Sequence, residues 1–244
     1  MSITHLPRTI IRLSGDNVKP WLDGIVTCAM PDPISFGAIL TPQGKIIADF
    51  FLVDEDATTL WLDTPSKFAD DLEKRLKMFR LREKITIERT EMHSYAIFGD
   101  QADRAPLGHV DPRHPTLGKR MIISTYAKPT ASLEDYNAHR LSLGVVDSLF
   151  DFDAAKVFPE DVNMDLMGGV DYQKGCFVGQ EVASRMKRMT TAKKRARGFI
   201  CDGGAKVGDG HAHGDTGLVS SCRQRHVHRQ RVGASDSGLG LGAG

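Results

Sequence analysis

The sequence predicts an α+β protein. Three observations carry that expectation. Segments of strand character joined by hairpin-like turns recur over residues 8–98. Apolar residues at helical spacing stand between them. After Cys201 the large apolar side chains stop: residues 203–244 contain no Phe, Trp, Tyr, Ile or Met. The first 200 residues therefore read as one module, and residues 201–244 as a separate, poorly core-forming remnant.

Thr9-Ile10-Ile11-Arg12-Leu13 reads as a strand ending at Ser14-Gly15. Val18, Leu22 and Ile25 then share a helical face, with Asp16 as the expected cap. Phe36 to Leu40 and Lys45 to Val53 read as two strands joined by Thr41-Pro42-Gln43-Gly44, with Pro and Gly where a tight turn wants them. A third strand is expected from Thr58 to Leu62. Ser66 should cap a helix whose stripe is Phe68, Leu72, Leu76 and Phe79. Ile85 to Glu88 and Tyr95 to Phe98 resume strand character. Gly99 to Pro115, rich in Pro, Gly, Asp and Arg, reads as a loop. Ser132-Leu133-Glu134-Asp135 has the form of a capping box with Asp in place of Glu. It opens a helix that ends before Gly144, with Tyr136 and Arg140 on one face.

A chain of 244 residues can bury roughly 70–75% of the surface it exposes when unfolded, so a core without disulfides is feasible. The net charge of +1 carries no global field toward nucleic acid or a membrane surface. Four widely spaced cysteines do not form a disulfide framework and suit a reducing compartment. The N-terminal residues lack the apolar core of a signal peptide, and no apolar run is long enough to span a bilayer. These features lead to a cytoplasmic expectation.

The strongest chemical signal is Lys174-Gly175-Cys176-Phe177-Val178-Gly179-Gln180-Glu181. Two glycines bracket Cys176 and permit a tight backbone path. From Gln180 the pattern is helical, so Cys176 stands just before a helix N-terminus. A thiol there, beside Lys174, is biased toward the nucleophilic or redox-active thiolate. The equally open alternative is a small buried cysteine in a glycine-rich turn.

This segment resembles the Lys-Gly-Cys-aromatic-x-Gly-Gln-Glu signature of the YgfZ family, folate-binding proteins related to the glycine-cleavage T-protein (aminomethyltransferase). Further segments are similar, in the same order: Thr41 to Ile46, Leu76 to Arg82, Asp111-Pro112-Arg113 with Leu117 to Arg120, and Phe158-Pro159-Glu160 running into Gly169-Val170. The resemblance covers roughly residues 6–200. It implies a T-protein-like fold, with two interwoven α+β units around a central folate pocket and then a C-terminal β-barrel. Residues 203–244 could supply that barrel only in incomplete or degenerate form. It also implies tetrahydrofolate as cofactor and a supporting role in assembly or repair of iron–sulfur clusters in client enzymes, including some that modify tRNA. Cys176 maps onto the cysteine most tied to that role.

The same resemblance places Tyr136 beside the folate, where a ring can stack, and Arg140 where a guanidinium can hold a folate carboxylate. Each can equally be an ordinary helix residue. Arg8 stands at a position that is aromatic in some relatives. Asp49 lies in the strand where the T-protein carries two adjacent acids; here Ala48-Asp49 leaves at most one, which counts against aminomethyl transfer.

Arg185 to Arg197 holds seven basic residues and no acid. No aromatic residue interleaves the run, so single-stranded RNA binding is not expected and a solvated connection is the simpler reading. The His211-x-His213, Cys222 and His226-x-His228 positions lack a zinc-site spacing, and no metal site is assigned.

Three functional readings follow. The first is a folate-dependent accessory factor acting with iron–sulfur clients or their assembly machinery. The second is a folate-dependent one-carbon (aminomethyl) transferase. The third is a non-enzymatic interaction factor for tRNA modification. Cys176 favours the first, because aminomethyl transfer needs no thiol.

Overall fold

The computed structural model describes residues 1–188, 195 and 196, and these form two antiparallel sheets whose strands interleave along the chain. The strands are β1 (Ser2–Leu6), β2 (Arg8–Ser14), β3 (Ile34–Leu40), β4 (Ile46–Asp56), β5 (Thr59–Pro65), β6 (Thr86–Arg89), β7 (His93–Phe98), β8 (His109–Val110) and β9 (Lys119–Ile123). One sheet has the order β1-β7-β9-β8 and the other β3-β4-β5-β2-β6. The chain changes sheet at Pro7, between β1 and β2, and again between β6 and β7. Pro7 has no amide hydrogen to donate to a ladder, which suits it to the corner. The mixed α+β class and the interwoven units are as the sequence predicts; the described strands form two open sheets and no closed barrel.

The helices are α1 (Val18–Asp23), α2 (Ala69–Arg80), α3 (Leu133–Ser142) and α4 (Gln180–Arg188). Val18 and Leu22 of α1, with Leu72 and Leu76 of α2, bury against Ile11, Leu13, Phe50, Leu52 and Leu62 of the five-stranded sheet. A second core joins Leu6, Phe36, Phe51, Phe98 and Tyr136 with Val145, Phe152, Met164 and Phe177 from the later segments. That second core is the ground on which the candidate site stands.

Several local expectations need correction. Asp16 does not cap α1; Asn17 holds the cap position and makes no side-chain cap bond. Ser66 does not cap α2 either. The chain enters that helix through a 3-10 turn, Ser66–Phe68, and the Ser66 hydroxyl accepts a hydrogen bond from Thr9 at 3.0 Å instead. The segment from Gly99 to Pro115 is not all loop: it contains a 3-10 turn, Ala102–Arg104, and β8. Strands β1 and β9 were not foreseen. The capping box is present in full, since the Ser132 hydroxyl accepts from the Asp135 amide and Asp135 accepts from the Ser132 amide. Gly144 follows α3 with φ +70, the left-handed exit glycine tolerates best. The expectations for residues 201–244, including the incomplete barrel, Cys222 and the histidine positions, lie outside the described residues.

Candidate functional site

Residues 171–179 form a loop pinned at several points. Asp171 donates its amide to the Thr27 carbonyl at 2.8 Å, and its carboxylate accepts from the amides of Gln173 and Lys174. The Lys174 ammonium donates to the carbonyls of Val26 at 3.1 Å and Cys28 at 2.7 Å and pairs with Asp23 at 2.8 Å. Phe177 is buried in the core. Gly179 has φ +82, and a Cβ there would stand 2.7 Å from the Thr41 carbonyl oxygen, so only glycine fits. Immediately beyond, α4 begins at Gln180 as expected, with Ala183 buried beneath it and Glu181 exposed.

Cys176 stands between these anchors, exposed and free. Cys28 is its opposite: it is buried, and burial pushes its thiol up to about 11. A buried cysteine at position 176, the bland alternative, is not what the loop builds. The expected partnership of Lys174 with the thiol takes a different form, because the ammonium is occupied by Asp23 and two backbone carbonyls.

A second polar centre lies between the two sheets. Arg8 of β2 donates to the carboxylate and the carbonyl of Asp63 of β5, each at 2.6 Å, and Ser94 of β7 donates to the same carboxylate at 2.8 Å. Arg113 binds Asp111 through two nitrogens, Asp147 at 2.9 Å and the Tyr136 hydroxyl at 3.0 Å. Arg120 of β9 binds Asp111 and Tyr136, each at 2.9 Å. The guanidiniums of Arg8, Arg113 and Arg120 all lie over the Phe51 ring, at 5.2, 4.9 and 4.2 Å from its centre. Charges taken out of water persist only when paired and hydrogen-bonded.

Three guanidiniums thus meet three carboxylates, and Asp49 is a fourth acid. Its carboxylate accepts from the Ser148 hydroxyl. Burial pushes its carboxyl above the usual range, outweighing the Arg8 and Arg113 charges, and Asp147 adds to the rise. Burial would also raise Asp111, but Arg113 and Arg120 overcome it and hold the group at about 2. Asp147 is held lower still by the same two guanidiniums. Burial raises the Tyr136 phenol despite its two arginine donors.

The structure therefore brings Arg8, Asp49 and Tyr136 into one cluster, all buried. Arg140 is buried beside it, bonded to Asn137, to the Val145 carbonyl and in two-point fashion to Asp151. The place expected for a folate carboxylate on Arg140 is taken by Asp151. Sequence reasoning gave no role to Asp63, Asp111, Arg113, Arg120, Asp147 or Ser148. The segments carrying Asp111, Arg113 and Arg120 resemble the family, and that resemblance is their one signal in the sequence. One atom of the cluster is unfilled: Nη1 of Arg120 is buried with no hydrogen-bond partner among the described residues. A buried orphan donor is costly unless an acceptor reaches it, and a folate offers several. That single donor fits an acceptor of this kind.

Of the basic run, Arg185 pairs with Glu181, Lys187 lies over the Tyr172 ring and Arg195 pairs with Asp165. Residues 189–194 and 197 lie outside the described residues. No helix among the described residues is long and apolar enough to cross a membrane.

No family model matches the chain. It is similar to the iron–sulfur cluster assembly factor IBA57 homologue, mitochondrial, of Mycosarcoma maydis, at 28% identity over 217 residues covering 77% of this chain and 54% of that protein. It is similar to the human mitochondrial IBA57 at 26% identity, covering 77% of this chain and 63% of that protein. The chain thus spans between half and two thirds of the length of these relatives. Among solved structures it resembles the glycine cleavage system aminomethyltransferase T of Bartonella henselae, with TM-score 0.60, 13% identity, and coverage of 76% of this chain and 63% of that one. That likeness establishes the T-protein-like fold. The relatives carry the IBA57 name rather than YgfZ, and they are mitochondrial proteins, which overturns the cytoplasmic expectation.

Proposed function

We propose that this chain is a folate-binding accessory factor that supports assembly or repair of iron–sulfur clusters in client enzymes, tRNA-modifying ones among them, with Cys176 as its reactive group. The observation that carries the reading is the exposed Cys176 on a pinned loop, in a chain similar over three quarters of its length to proteins named as iron–sulfur assembly factors. A cysteine sulfur is a soft ligand and a nucleophile, suited to iron or to a second sulfur, and needs access to a partner protein. The cluster is cargo on this reading.

Tetrahydrofolate, when bound, supplies a reduced pterin with carbonyl and ring-nitrogen acceptors. Arg120 would meet it through Nη1, with Arg8, Asp49 and Tyr136 of the same cluster. Arg140 is linked to the cluster through Asp151, whose carboxylate also accepts from the Asp147 amide. Asp49, held with its carboxyl raised, can keep a proton at Oδ in the buried site. The transferase reading has the fold in its favour. Against it, Ala48 replaces the second acid and Asp49 is engaged by Ser148.

The test is complementation of a strain deleted for the gene, reading the activity of a client iron–sulfur enzyme. Wild type should restore it and Cys176→Ala should not; full activity with Cys176→Ala sinks the role of Cys176. For folate, a hundredfold excess of tetrahydrofolate over its Kd should stabilise the protein by about 2.7 kcal/mol. A folded protein that shows no such shift sinks the folate part. Folate-dependent ammonia release from an aminomethylated carrier would promote the transferase instead. Recovery of RNA in a pull-down would promote the interaction-factor reading.

A further inference from the structure

We infer that Lys174 is the positioning residue of the Cys176 loop, a clasp that ties residues 171–181 to the chain segment 23–28, and not an electrostatic activator of the thiol. The inference rests on the reading that Cys176 is the functional group, and it adds what sets its geometry.

The ammonium of Lys174 is nearly buried and has three acceptors: Asp23 at 2.8 Å, the Cys28 carbonyl at 2.7 Å and the Val26 carbonyl at 3.1 Å. An ammonium has three protons, so its donors are all committed to that segment. The carbonyls it binds belong to a stretch that leaves the end of α1 and runs alongside β3, where Val26 forms a bridge with Ile39 and Thr27 donates its amide to the Ala38 carbonyl. The side chain of Thr27 ties the same stretch to the Gly169 carbonyl at 2.6 Å, and its carbonyl receives the Asp171 amide at 2.8 Å. Asp171 in turn accepts from the Lys174 amide at 3.2 Å. Backbone and side chain of residue 174 are therefore fixed from two directions.

Past the clasp there is little to hold the backbone until Phe177 enters the core. Gly175 has an ordinary φ, and a Cβ there would meet nothing within 4 Å. Among the described residues its carbonyl receives only the Gln180 side-chain amide, at 3.4 Å. Cys176 sits within this short span, so its place is set by what fixes the two ends. Phe177 fixes one by burial and Lys174 fixes the other by polar contact. Partly buried polar anchors of this kind set side-chain geometry where an apolar residue would permit several paths.

The experiment compares the full-length wild type with Lys174→Met and Cys176→Ala. It reads amide exchange, alkylation of Cys176 by iodoacetamide across pH, and client-enzyme activity in the deletion strain. With Lys174→Met, exchange at residues 173–178 should quicken by about tenfold while β4 is unchanged. The alkylation pH profile should keep its position, and client activity should fall about fivefold or more. Unaltered exchange at 173–178 overturns the inference. So does a profile displaced to higher pH by about one unit, which would make Lys174 an activator of the thiol. If Lys174→Met does not fold, Asp23→Ala removes the clasp's most exposed partner and is judged by the same criteria. Full client activity with Cys176→Ala would remove the functional reading, while the exchange result would still decide whether Lys174 is the clasp.

Discussion

The two polar regions of this protein are built on opposite plans. Between the sheets, Arg8, Arg113 and Arg120 answer Asp63, Asp111 and Asp147, and nearly every donor is used within the chain. At the Cys176 loop the polar groups are spent on fixing the loop, Asp171 on its own amides and Lys174 on the carbonyls of segment 23–28, and the sulfur is left facing solvent. The difference teaches where each region's chemistry is directed. The inner cluster ties the two sheets together and leaves one nitrogen without a partner among the described residues, whereas the loop leaves a single thiol exposed.

The largest break in that comparison should come from Arg113→Met. It leaves Asp111 and Asp147 to share Arg120, which lies 3.7 Å from Asp147, and removing one partner of a buried ion pair costs about 3–5 kcal/mol. Chemical unfolding of this variant beside Cys176→Ala should show that loss in the first and a change within about 0.5 kcal/mol in the second. Equal midpoints would dissolve the contrast.

Acid should reveal the same centre. Asp111 is lowered from its ordinary value of 3.8 to about 2 in the folded protein. A lowered acid adds stability that is fully present above 3.8 and is lost as pH falls through about 2, here roughly 2 kcal/mol. Asp49, raised by burial, works in the other sense. Its contribution is present below 3.8 and is lost as pH rises through its folded value. Asp49→Asn should therefore gain stability relative to wild type as pH increases from 4 toward 8, measured by thermal unfolding. A gain that shrinks over that range would show that Asp49 is held ionised.

The loop can be sharpened with its two glycines. Gly179→Ala places a Cβ against the Thr41 carbonyl at positive φ and should cost about 1–3 kcal/mol. Gly175→Ala meets open space and should change stability by less than about 0.5 kcal/mol. The smallest perturbation is chemical: iodoacetamide at neutral pH should modify Cys176 in the native protein and reach Cys28 only on unfolding. Native labelling of both cysteines would mean the buried thiol is reachable.

Legibility in the sequence followed locality. The capping box of α3 is four consecutive residues with a single geometric meaning, and it is present as read. The hairpin of β3 and β4 announces itself through Pro42 and Gly44 between two apolar runs. The Lys174 to Glu181 segment was legible as the chemical centre, but the target of the Lys174 ammonium was not, because Asp23, Val26 and Cys28 lie some 150 residues earlier. Strand β9 was missed because Lys119-Arg120 looks like surface, yet Arg120 is buried by partners distant in the chain. Arg8, Asp49 and Tyr136 of the inner cluster are legible only through the family resemblance, and their buried partners Asp63, Asp147 and Ser148 are not, because none of these is unusual until the others stand around it.

The pairing of β1 with β7 has a consequence for synthesis. Ser2 to Leu6 are synthesised well before their partners, Ser94 to Phe98. At about 5–20 residues per second, the first strand waits on the order of 5–20 s before the strand that completes its ladder has been made. During that interval Ile3 and Leu6 lie on a strand without its partner, a surface that a holding chaperone would cover until β7 has been made.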